Sequence, residues 1–383
     1  MDNNSENKSK TIGIITFHRY SNPGTVLQAL ALQDKIEEYG YHVELIDFEA
    51  RISETRLENF TNHIRRIPVY IKDFKKYYYQ FVYRDNIKLK QTLSNSFHDN
   101  TIHVGNNKYY STEQLCENPP VYDGYIVGSD QTWNPNVSHN PDAFYLTFVE
   151  DSDRCGSYAP SVASSRLTNA QEQRMCSLLP HIRWLSCRER SGAEKIEKLT
   201  GRMVKTVLDP TLLLDMEQWE KYTKPVKVYK PYILQYILGE SKEHRDYVRN
   251  ISQKLNMPII NISTTFLDWK ENNVLICGPD EFLWLIKNAS LVCTDSFHGT
   301  AFSLNLNVPF VSFERYSRDN AKSENTRLYD LLNSIGLESR IVDANTSIDI
   351  FDIDFSNAMT RLLKLREESE EYLKKMLLSI TGC

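Results

Sequence analysis

The sequence lacks several patterns that identify common classes of protein. Glycine is scarce, with 14 residues in 383, and the loop after the first predicted strand contains neither the G-x-G-x-x-G pattern nor the P-loop pattern. No window approaches the roughly 18 consecutive apolar residues that a membrane span needs. The sequence therefore gives no support to a nucleotide cofactor or to a membrane-spanning segment.

Cysteine is also sparse and has no recognisable spacing. The seven cysteines are scattered, odd in number, and never form a C-x-x-C pair. This distribution argues against a structural zinc site or a disulfide framework, and it favours a reducing compartment. The first ten residues, MDNNSENKSK, are polar and lead into no apolar core, so we expect no signal peptide and a cytoplasmic location.

Charge is unevenly distributed along the chain. The net charge of −5 excludes a globally basic nucleic-acid binder, and we expect no nucleic-acid partner. Residues 51–90, however, contain ten Lys or Arg against four Asp or Glu and are rich in tyrosine. Such a segment is suited to an anionic membrane surface or to stacking on sugar rings. The alternative is a helical pair whose aromatic side chains join the core.

The periodicity of the sequence predicts two α/β domains. An apolar strand at Thr11–Phe17, a helical pattern at Thr25–Tyr39 and a second strand at Val43–Phe48 form a β-α-β opening, and a second alternating series starts after Asp209-Pro210. We therefore predict two doubly wound, Rossmann-like domains of the α/β class. The predicted domains are residues 1–208, with a helical basic and aromatic insertion at about 51–110, and residues 209–355. A helix at 356–383 is expected to pack back on the first domain.

The strongest local signal is a strand that ends in Thr294-Asp295-Ser296 and is followed by a helix opening at His298-Gly299-Thr300. Ligands bind at the carboxyl ends of parallel strands, and the free N–H groups of a helix N-terminus favour an anion. A histidine there is suited to donate a proton near neutral pH. A capping turn with a packed histidine is the alternative.

Three other segments place polar groups after predicted strands. Arg188 follows a short apolar strand, where it can bind a carboxylate or phosphate or can pair with Glu189 on the surface. Gly128-Ser129-Asp130 forms a ligand-facing loop or a tight turn, and the loop Phe17–Gly24 suits an anion or sugar hydroxyls.

Cations after the histidine helix can complete an anion pocket or can lie on a solvated face. These are Arg315, Arg318, Lys322, Arg327 and Arg340.

In order and spacing, the sequence resembles the polysaccharide pyruvyl transferase family over about nine tenths of the chain. The D-S-F-H-G-T block is the most specific element. The segments that carry the resemblance are GIITFHRYSNPGTVLQALALQ, YDGYIVGSDQTWNP, SYAPS, LSCRERSG, VLDPTLLL, NASLVCTDSFHGTAFSLNLNVPFVSF and NTRLYDLLNSIGL.

The resemblance implies a fold of the glycosyltransferase-B type with an active site in the cleft between the domains. It implies phosphoenolpyruvate as donor and a sugar as acceptor, a galactose-like or hexosamine unit that is either soluble or part of a lipid-linked oligosaccharide. The product is a pyruvate ketal in a capsule or another exopolysaccharide. No cofactor or metal is expected, and the enzyme is expected in the cytoplasm with peripheral contact to the inner face of the cell membrane.

The resemblance and the local patterns together assign roles to individual residues. His298 is the expected general acid, and Asp130 or Asp295 is the expected base. The family tends to carry arginine two residues before the histidine, where this chain has Ser296, so later cations are expected to hold the donor. The expected donor-binding residues are Arg188, Ser296, Gly299, Thr300, Arg318 and Lys322. The expected acceptor-binding residues are Asn22, Gly24, Gln28, Gly128 and Ser129.

Two other functions fit the same architecture, because a fold does not fix its donor. The first is a glycosyltransferase that uses a nucleotide-sugar. The second is a non-catalytic sugar-binding protein of a polymer assembly.

Overall fold

The computed structural model describes residues 10–49, 78, 81–137, 141–164, 166–264, 268, 273–316, 323–343, 346 and 348–382. Two parallel sheets dominate these residues. Each sheet is the centre of one domain.

The first domain contains a five-stranded parallel sheet in the order β3-β2-β1-β4-β5. A short parallel pair, β6 and β7, continues beside β5 through a bridge between Gly156 and Trp184. The strands are β1 (Thr11–Ile15), β2 (His42–Phe48), β3 (Val104–Tyr109), β4 (Gly124–Val127), β5 (Cys155–Ser157), β6 (Ser186–Cys187) and β7 (Lys205–Thr206).

The helices of the first domain are α1 (Pro23–Glu37), α2 (Arg84–Thr101), α3 (Thr112–Glu117), α4 (Asn169–Leu178) and α5 (Arg190–Thr200). Helix α1 begins where the sequence provides both start signals, because Pro23 occupies its first turn and the Asn22 side chain accepts a hydrogen bond from the Gly24 N–H. It is buried along almost its whole length.

The structure shortens the helical insertion expected at about 51–110. Val104–Tyr109 is a strand that pairs with β2, and a short helix follows it. The sequence VGNNKY does not read as a strand because β3 is the edge of the sheet, and its middle residues face solvent. Residues 50–77, which carry nearly half of the predicted insertion, lie outside the described part of the chain.

The second domain repeats the same topology with a six-stranded parallel sheet in the order β10-β9-β8-β11-β12-β13. Its strands are β8 (Ile233–Tyr236), β9 (Ile259–Ile262), β10 (Val274–Leu275), β11 (Leu291–Thr294), β12 (Phe310–Phe313) and β13 (Ile341–Val342). The helices that accompany it are α6 (Met216–Glu220), α7 (Lys242–Leu255), α8 (Pro279–Lys287), α9 (Phe297–Asn305) and α10 (Thr326–Ile335).

The long helix α11 (Phe355–Ile380) follows the second domain and packs on the first. Glycines in β4 and β5 allow this helix to pack closely against the first sheet. A Cβ at Gly124 would lie 2.9 Å from Ile380, and one at Gly156 would lie 2.5 Å from the Met376 sulfur. One buried apolar cluster runs through both domains, so the two sheets share a continuous core.

Both sheets reverse their strand order at one point, between β1 and β4 and between β8 and β11. In doubly wound sheets, the carboxyl ends of the strands at this point form the ligand crevice. The structure confirms the predicted α/β class with two Rossmann-like, doubly wound parallel sheets.

Candidate active site

A cavity of about 190 Å³, here called the histidine cavity, lies between the switch points of the two sheets. The loops after β1, β4, β8, β11 and β12 all contribute to its wall. Its lining includes Phe17, Tyr20, Asn22, Thr25, Asp130 and Gln131 from the first domain. Leu238, Ser296, Phe297, His298, Arg315 and Arg327 line it from the second.

His298 is fixed by the first turn of α9. The Ser296 side chain caps this helix by accepting a hydrogen bond from the Gly299 N–H. The imidazole then lies against the start of α1 in the other domain. A Cβ on Gly24 would be 2.2 Å from His298 Nδ1, so only glycine fits at this contact.

Asp209 immediately precedes a short 3-10 turn at Pro210–Leu212 and is the centre of a buried polar network. Its Oδ1 accepts hydrogen bonds from the backbone N–H and the hydroxyl of Thr211, at 3.0 Å and 2.7 Å. Its Oδ2 accepts from the Ser129 hydroxyl at 3.0 Å and from Arg188 Nη1 at 2.6 Å. Nε2 of His298 lies 3.7 Å from the same oxygen.

The environment of Asp209 keeps its carboxylate ionised. Burial alone acts to raise its pKa, but the His298 ring and the Arg188 guanidinium outweigh burial and hold the pKa far below its ordinary value. The site therefore holds a permanent negative charge between a histidine and an arginine.

Arg188 lines a second, larger space of about 550 Å³, here called the arginine cavity. Its guanidinium stacks on the Phe297 ring at 4.5 Å, and its Nε and Nη2 atoms have no hydrogen-bond partner among the described residues. Phe297 and Arg327 line both cavities, while Arg190, Lys205 and Asp330 line the arginine cavity alone. A buried guanidinium with unpaired nitrogens is a candidate ligand for an oxyanion.

Two more arginines converge on the histidine cavity. Arg327 donates to Glu324 Oε2 at 2.7 Å and lies over Phe297 at 5.9 Å, and Arg315 lies 3.7 Å from the same glutamate. Burial lowers the pKa of Arg327, and the nearby charges of Arg188 and Arg315 act in the same direction. Arg315 and Arg327 give the histidine cavity a cationic wall, which favours an anion there.

Asp130 occupies a left-handed backbone conformation with φ of 68°, which non-glycine residues adopt rarely. Its carbonyl accepts a hydrogen bond from the Ser161 N–H, and its Oδ2 accepts from the Thr25 hydroxyl at 2.9 Å. The Arg188 Nη2 atom lies 4.0 Å from Oδ1. The strained turn aims this carboxylate into the histidine cavity.

The loop after β1 supplies an aromatic wall. Phe17 and Tyr20 pack edge to face at 5.6 Å, and Tyr20 is 54% exposed. Behind them, His18 Nδ1 lies 2.8 Å from His98 Nε2, and Arg19 donates two hydrogen bonds to Asp47. Burial lowers the pKa of His18 to about 3, and the adjacent His98 acts in the same direction, so both rings are neutral supports of the loop.

The structure brings four sequence-predicted residues into the histidine cavity. These are Asn22, Asp130, Ser296 and His298, and two of the candidate cations, Arg315 and Arg327, line it as well. Gly24 contributes by its closeness to the His298 ring, and Arg188 faces the arginine cavity. Arg318 and Lys322 lie outside the described residues.

The other predicted residues pack around the histidine cavity and do not line it, and their binding roles stay predictions. Gln28 donates to the Phe17 and Thr25 carbonyls, and Ser129 donates to Asp209. Gly128 packs under Thr16. In α9, the Gly299 N–H is bonded to Ser296, and the Thr300 hydroxyl bonds the Ser296 carbonyl and lies 2.7 Å from the Ser312 hydroxyl.

Asp295 is also turned away from the histidine cavity. Its two carboxylate oxygens accept hydrogen bonds from the backbone N–H groups of Leu238 and Gly239, at 2.6 Å and 2.8 Å. It therefore joins the ends of β8 and β11 and lies beside Arg315. Asp130 is the better placed of the two predicted bases.

Sequence reasoning assigned no role to Asp209 or Phe297, and it included Tyr20 only as part of the loop Phe17–Gly24. Asp209 stands in the VLDPTLLL segment that carries part of the family resemblance, and it follows a strand end, as Asp130 does. That position was the available signal. Within the described residues, no group of three or more His, Cys, Asp or Glu is placed to hold a metal ion.

The fold and the site define a two-domain α/β protein with a histidine, a carboxylate and arginines gathered between its domains. A sequence model of the family described as polysaccharide pyruvyl transferase matches residues 22–317. The chain belongs to the polysaccharide pyruvyl transferase family. Comparison with curated proteins gives no match.

Several solved structures are similar over nearly the whole chain. A UDP-GlcNAc 2-epimerase from Methanocaldococcus jannaschii in complex with UDP-GlcNAc and UDP is 14% identical, covers 93% of this chain and 99% of that one, and has a TM-score of 0.47. An alpha-glucosyltransferase in complex with UDP and DNA is 9% identical, with coverage of 97% and 95% and a TM-score of 0.49. The trehalose-6-phosphate phosphatase N-terminal domain from Candida albicans is 10% identical, with coverage of 96% of both chains and a TM-score of 0.47. Identities this low carry nothing about ligand or activity.

Proposed function

We propose that this transferase moves the enolpyruvyl unit of phosphoenolpyruvate onto two hydroxyls of a sugar and leaves a pyruvate ketal. The observation that carries the proposal is the histidine cavity, where His298 meets Arg315 and Arg327 at the switch points of both sheets. Phosphoenolpyruvate has a carboxylate and a phosphate at one end and a methylene carbon at the other. It needs cations for the first and a proton donor for the second.

The reaction balances with groups that the site provides. A proton from His298 adds to the methylene carbon, and positive charge develops at the neighbouring carbon that bears the phosphate oxygen. One sugar hydroxyl attacks that carbon and loses its proton. The carbon–oxygen bond to phosphate then breaks, and the second hydroxyl closes the ketal ring. Its proton goes to the departing phosphate, which leaves as inorganic phosphate. No redox change occurs, and no step uses a cofactor or metal.

Asp130 is the proposed base toward the sugar hydroxyl. It lines the cavity from the first domain, opposite the His298 helix. Its Oδ2 atom accepts the hydrogen bond from Thr25, and its Oδ1 atom lies 4.0 Å from Arg188 Nη2. Phe17 and Tyr20 offer faces on which a sugar ring can stack, and Gln131 and Asn22 offer amides for its hydroxyls. The acceptor is proposed to be a galactose-like or hexosamine unit of a surface polymer.

The test is to incubate the purified protein with phosphoenolpyruvate and a panel of galactosides and hexosaminides. The proposal predicts phosphate release equal to the acceptor consumed, with each acceptor gaining the mass of pyruvate less water. Release of a nucleotide from a UDP- or GDP-sugar, with no reaction of phosphoenolpyruvate, would assign the chain to glycosyl transfer. Binding of the sugar without turnover would assign it a non-catalytic role.

We also propose a cytoplasmic location with peripheral contact to the inner face of the cell membrane, where a lipid-linked acceptor is presented. Arg84 and Lys88 are exposed at the start of α2, among apolar side chains that face solvent. These apolar residues are Tyr78, Phe81, Val82, Ile87 and Leu89. Among the described helices, none is long and apolar enough to cross a membrane. Co-sedimentation with anionic but not neutral vesicles tests the contact.

A further inference from the structure

Asp209 connects the two groups on which donor chemistry depends. It follows β7, the last strand of the first domain, whereas His298 lies in the second domain, and one carboxylate oxygen of Asp209 faces both His298 Nε2 and Arg188 Nη1. The side chain of Asp209 is fully buried. Bulk water therefore does not reach these contacts at the carboxylate.

The position of this carboxylate is set on every side. Thr211 holds Oδ1 with two hydrogen bonds, and Ser129 holds Oδ2 with one. The backbone after Asp209 is itself tied to the histidine helix, because the Asn305 side chain at the end of α9 donates to the Thr211 and Leu214 carbonyls. Asp209 and His298 thus keep one mutual geometry.

The imidazole has little room to turn within that geometry. Gly24 of α1 lies against its Nδ1 edge, and Asp209 lies beyond its Nε2 edge. The 3.7 Å separation from the carboxylate oxygen is longer than a formed hydrogen bond, and such contacts shorten when a substrate closes the cleft. An ionised carboxylate facing one ring nitrogen selects the tautomer that carries its proton there.

We propose that Asp209 is the positioning residue of the site, which holds His298 as the Nε2–H tautomer and fixes Arg188 to the same oxygen. The catalytic purpose of this role rests on the proposed function, but the tautomer of His298 can be measured whether or not that function is correct. It leaves Nδ1, the edge beside Gly24, as the ring nitrogen that takes up and delivers the proton. The domain contact at Asp209 then sets the geometry of the proton donor and of an anion-binding guanidinium together.

The decisive variant is Asp209→Asn, because an amide keeps the shape of the carboxylate but can donate its own hydrogen to Nε2. The tautomer is read by ¹⁵N–¹H long-range correlation spectra of the full-length protein labelled at histidine. The signals of His298 are identified by their loss in His298→Ala. The wild-type spectrum should show Nε2–H, and Asp209→Asn should shift the population to Nδ1–H. Turnover of phosphoenolpyruvate should fall by about a hundredfold or more.

Two matched variants separate positioning from a purely structural role. Asp330→Asn alters another interdomain carboxylate, which accepts hydrogen bonds from the Ser191 N–H and hydroxyl away from His298. Ser129→Ala removes one neutral donor from Asp209 while keeping the charge. Both should retain the Nε2–H tautomer.

A neutral wild-type imidazole that carries its single proton on Nδ1 would overturn the proposal, even if Asp209→Asn failed to fold. So would an unchanged tautomer in a folded Asp209→Asn protein, since the carboxylate would then only neutralise Arg188. If the wild-type enzyme turned over no phosphoenolpyruvate, the proposed function would fail. The tautomer result would still decide the role of Asp209.

Discussion

Replacing Gly24 with alanine tests how tightly the first domain holds the His298 ring. The added Cβ would lie 2.2 Å from Nδ1 and 2.3 Å from Cγ of His298. Favourable contacts between such atoms begin near about 3.5 Å, so the ring or helix α1 must move by roughly 1 Å. Overpacking of this kind costs about 1 to 3 kcal/mol, partly offset because alanine favours a helix over glycine by up to about 1 kcal/mol.

The displacement should harm catalysis more than stability. A shift of about 1 Å in a catalytic group can cost about a hundredfold in rate, and we expect that loss in phosphate release from phosphoenolpyruvate. Free energies of unfolding are measured by denaturant titration of four proteins: wild type, Gly24→Ala, His298→Ala and the double variant. Alanine at position 24 should destabilise the wild type but be neutral or stabilising when position 298 is alanine, with a coupling of about 1 to 3 kcal/mol. Full activity of Gly24→Ala, or additive effects in the cycle, would refute the reasoning.

Three further perturbations follow from the structure. His298→Ala should reduce turnover by about a hundredfold to ten-thousandfold in steady-state assays while the protein stays folded; a smaller loss would exclude it as general acid. Burial lowers the pKa of His18 in the folded protein to about 3. As the pH falls through about 6.5, His18 therefore becomes protonated in the unfolded chain but stays neutral in the folded protein. Stability should therefore fall by about 2 kcal/mol between pH 7.5 and pH 5, and His18→Gln should lose much of this dependence in denaturant titrations; an unchanged slope would contradict the burial. Asn305→Ala should cost about 2 to 4 kcal/mol, because the Thr211 and Leu214 carbonyls lose a buried donor; a loss under about 0.5 kcal/mol would contradict the contact between α9 and the Asp209 turn.

The sequence predicts the sheets well where strands are central. Strands such as β1 and β11 are buried on both faces, so their residues are almost all apolar and their pattern is plain. The edge strand β3 was missed because its exposed residues are polar, and β10 was missed because it has only two residues. Local composition cannot reveal a strand whose pairing comes from its neighbour.

The site divides along a similar line. His298 and Asp130 were predictable because each follows a strand at the switch point of its sheet. Asp209 was not assigned to the site, and Arg327 was named only among cations that either complete an anion pocket or face solvent. Their places come from contacts between the domains that no local pattern encodes. Gln28 was expected to bind the acceptor, yet backbone carbonyls take its amide hydrogens, and sequence does not show which way a polar side chain turns.

The most direct test of the account is the structure of the protein with phosphoenolpyruvate bound. The account predicts the donor between the domains, with its methylene carbon beside the His298 ring and its two anionic groups facing guanidinium groups of Arg188, Arg315 or Arg327. Phosphoenolpyruvate bound elsewhere, or a nucleotide base occupying that space in preference to it, would contradict the account.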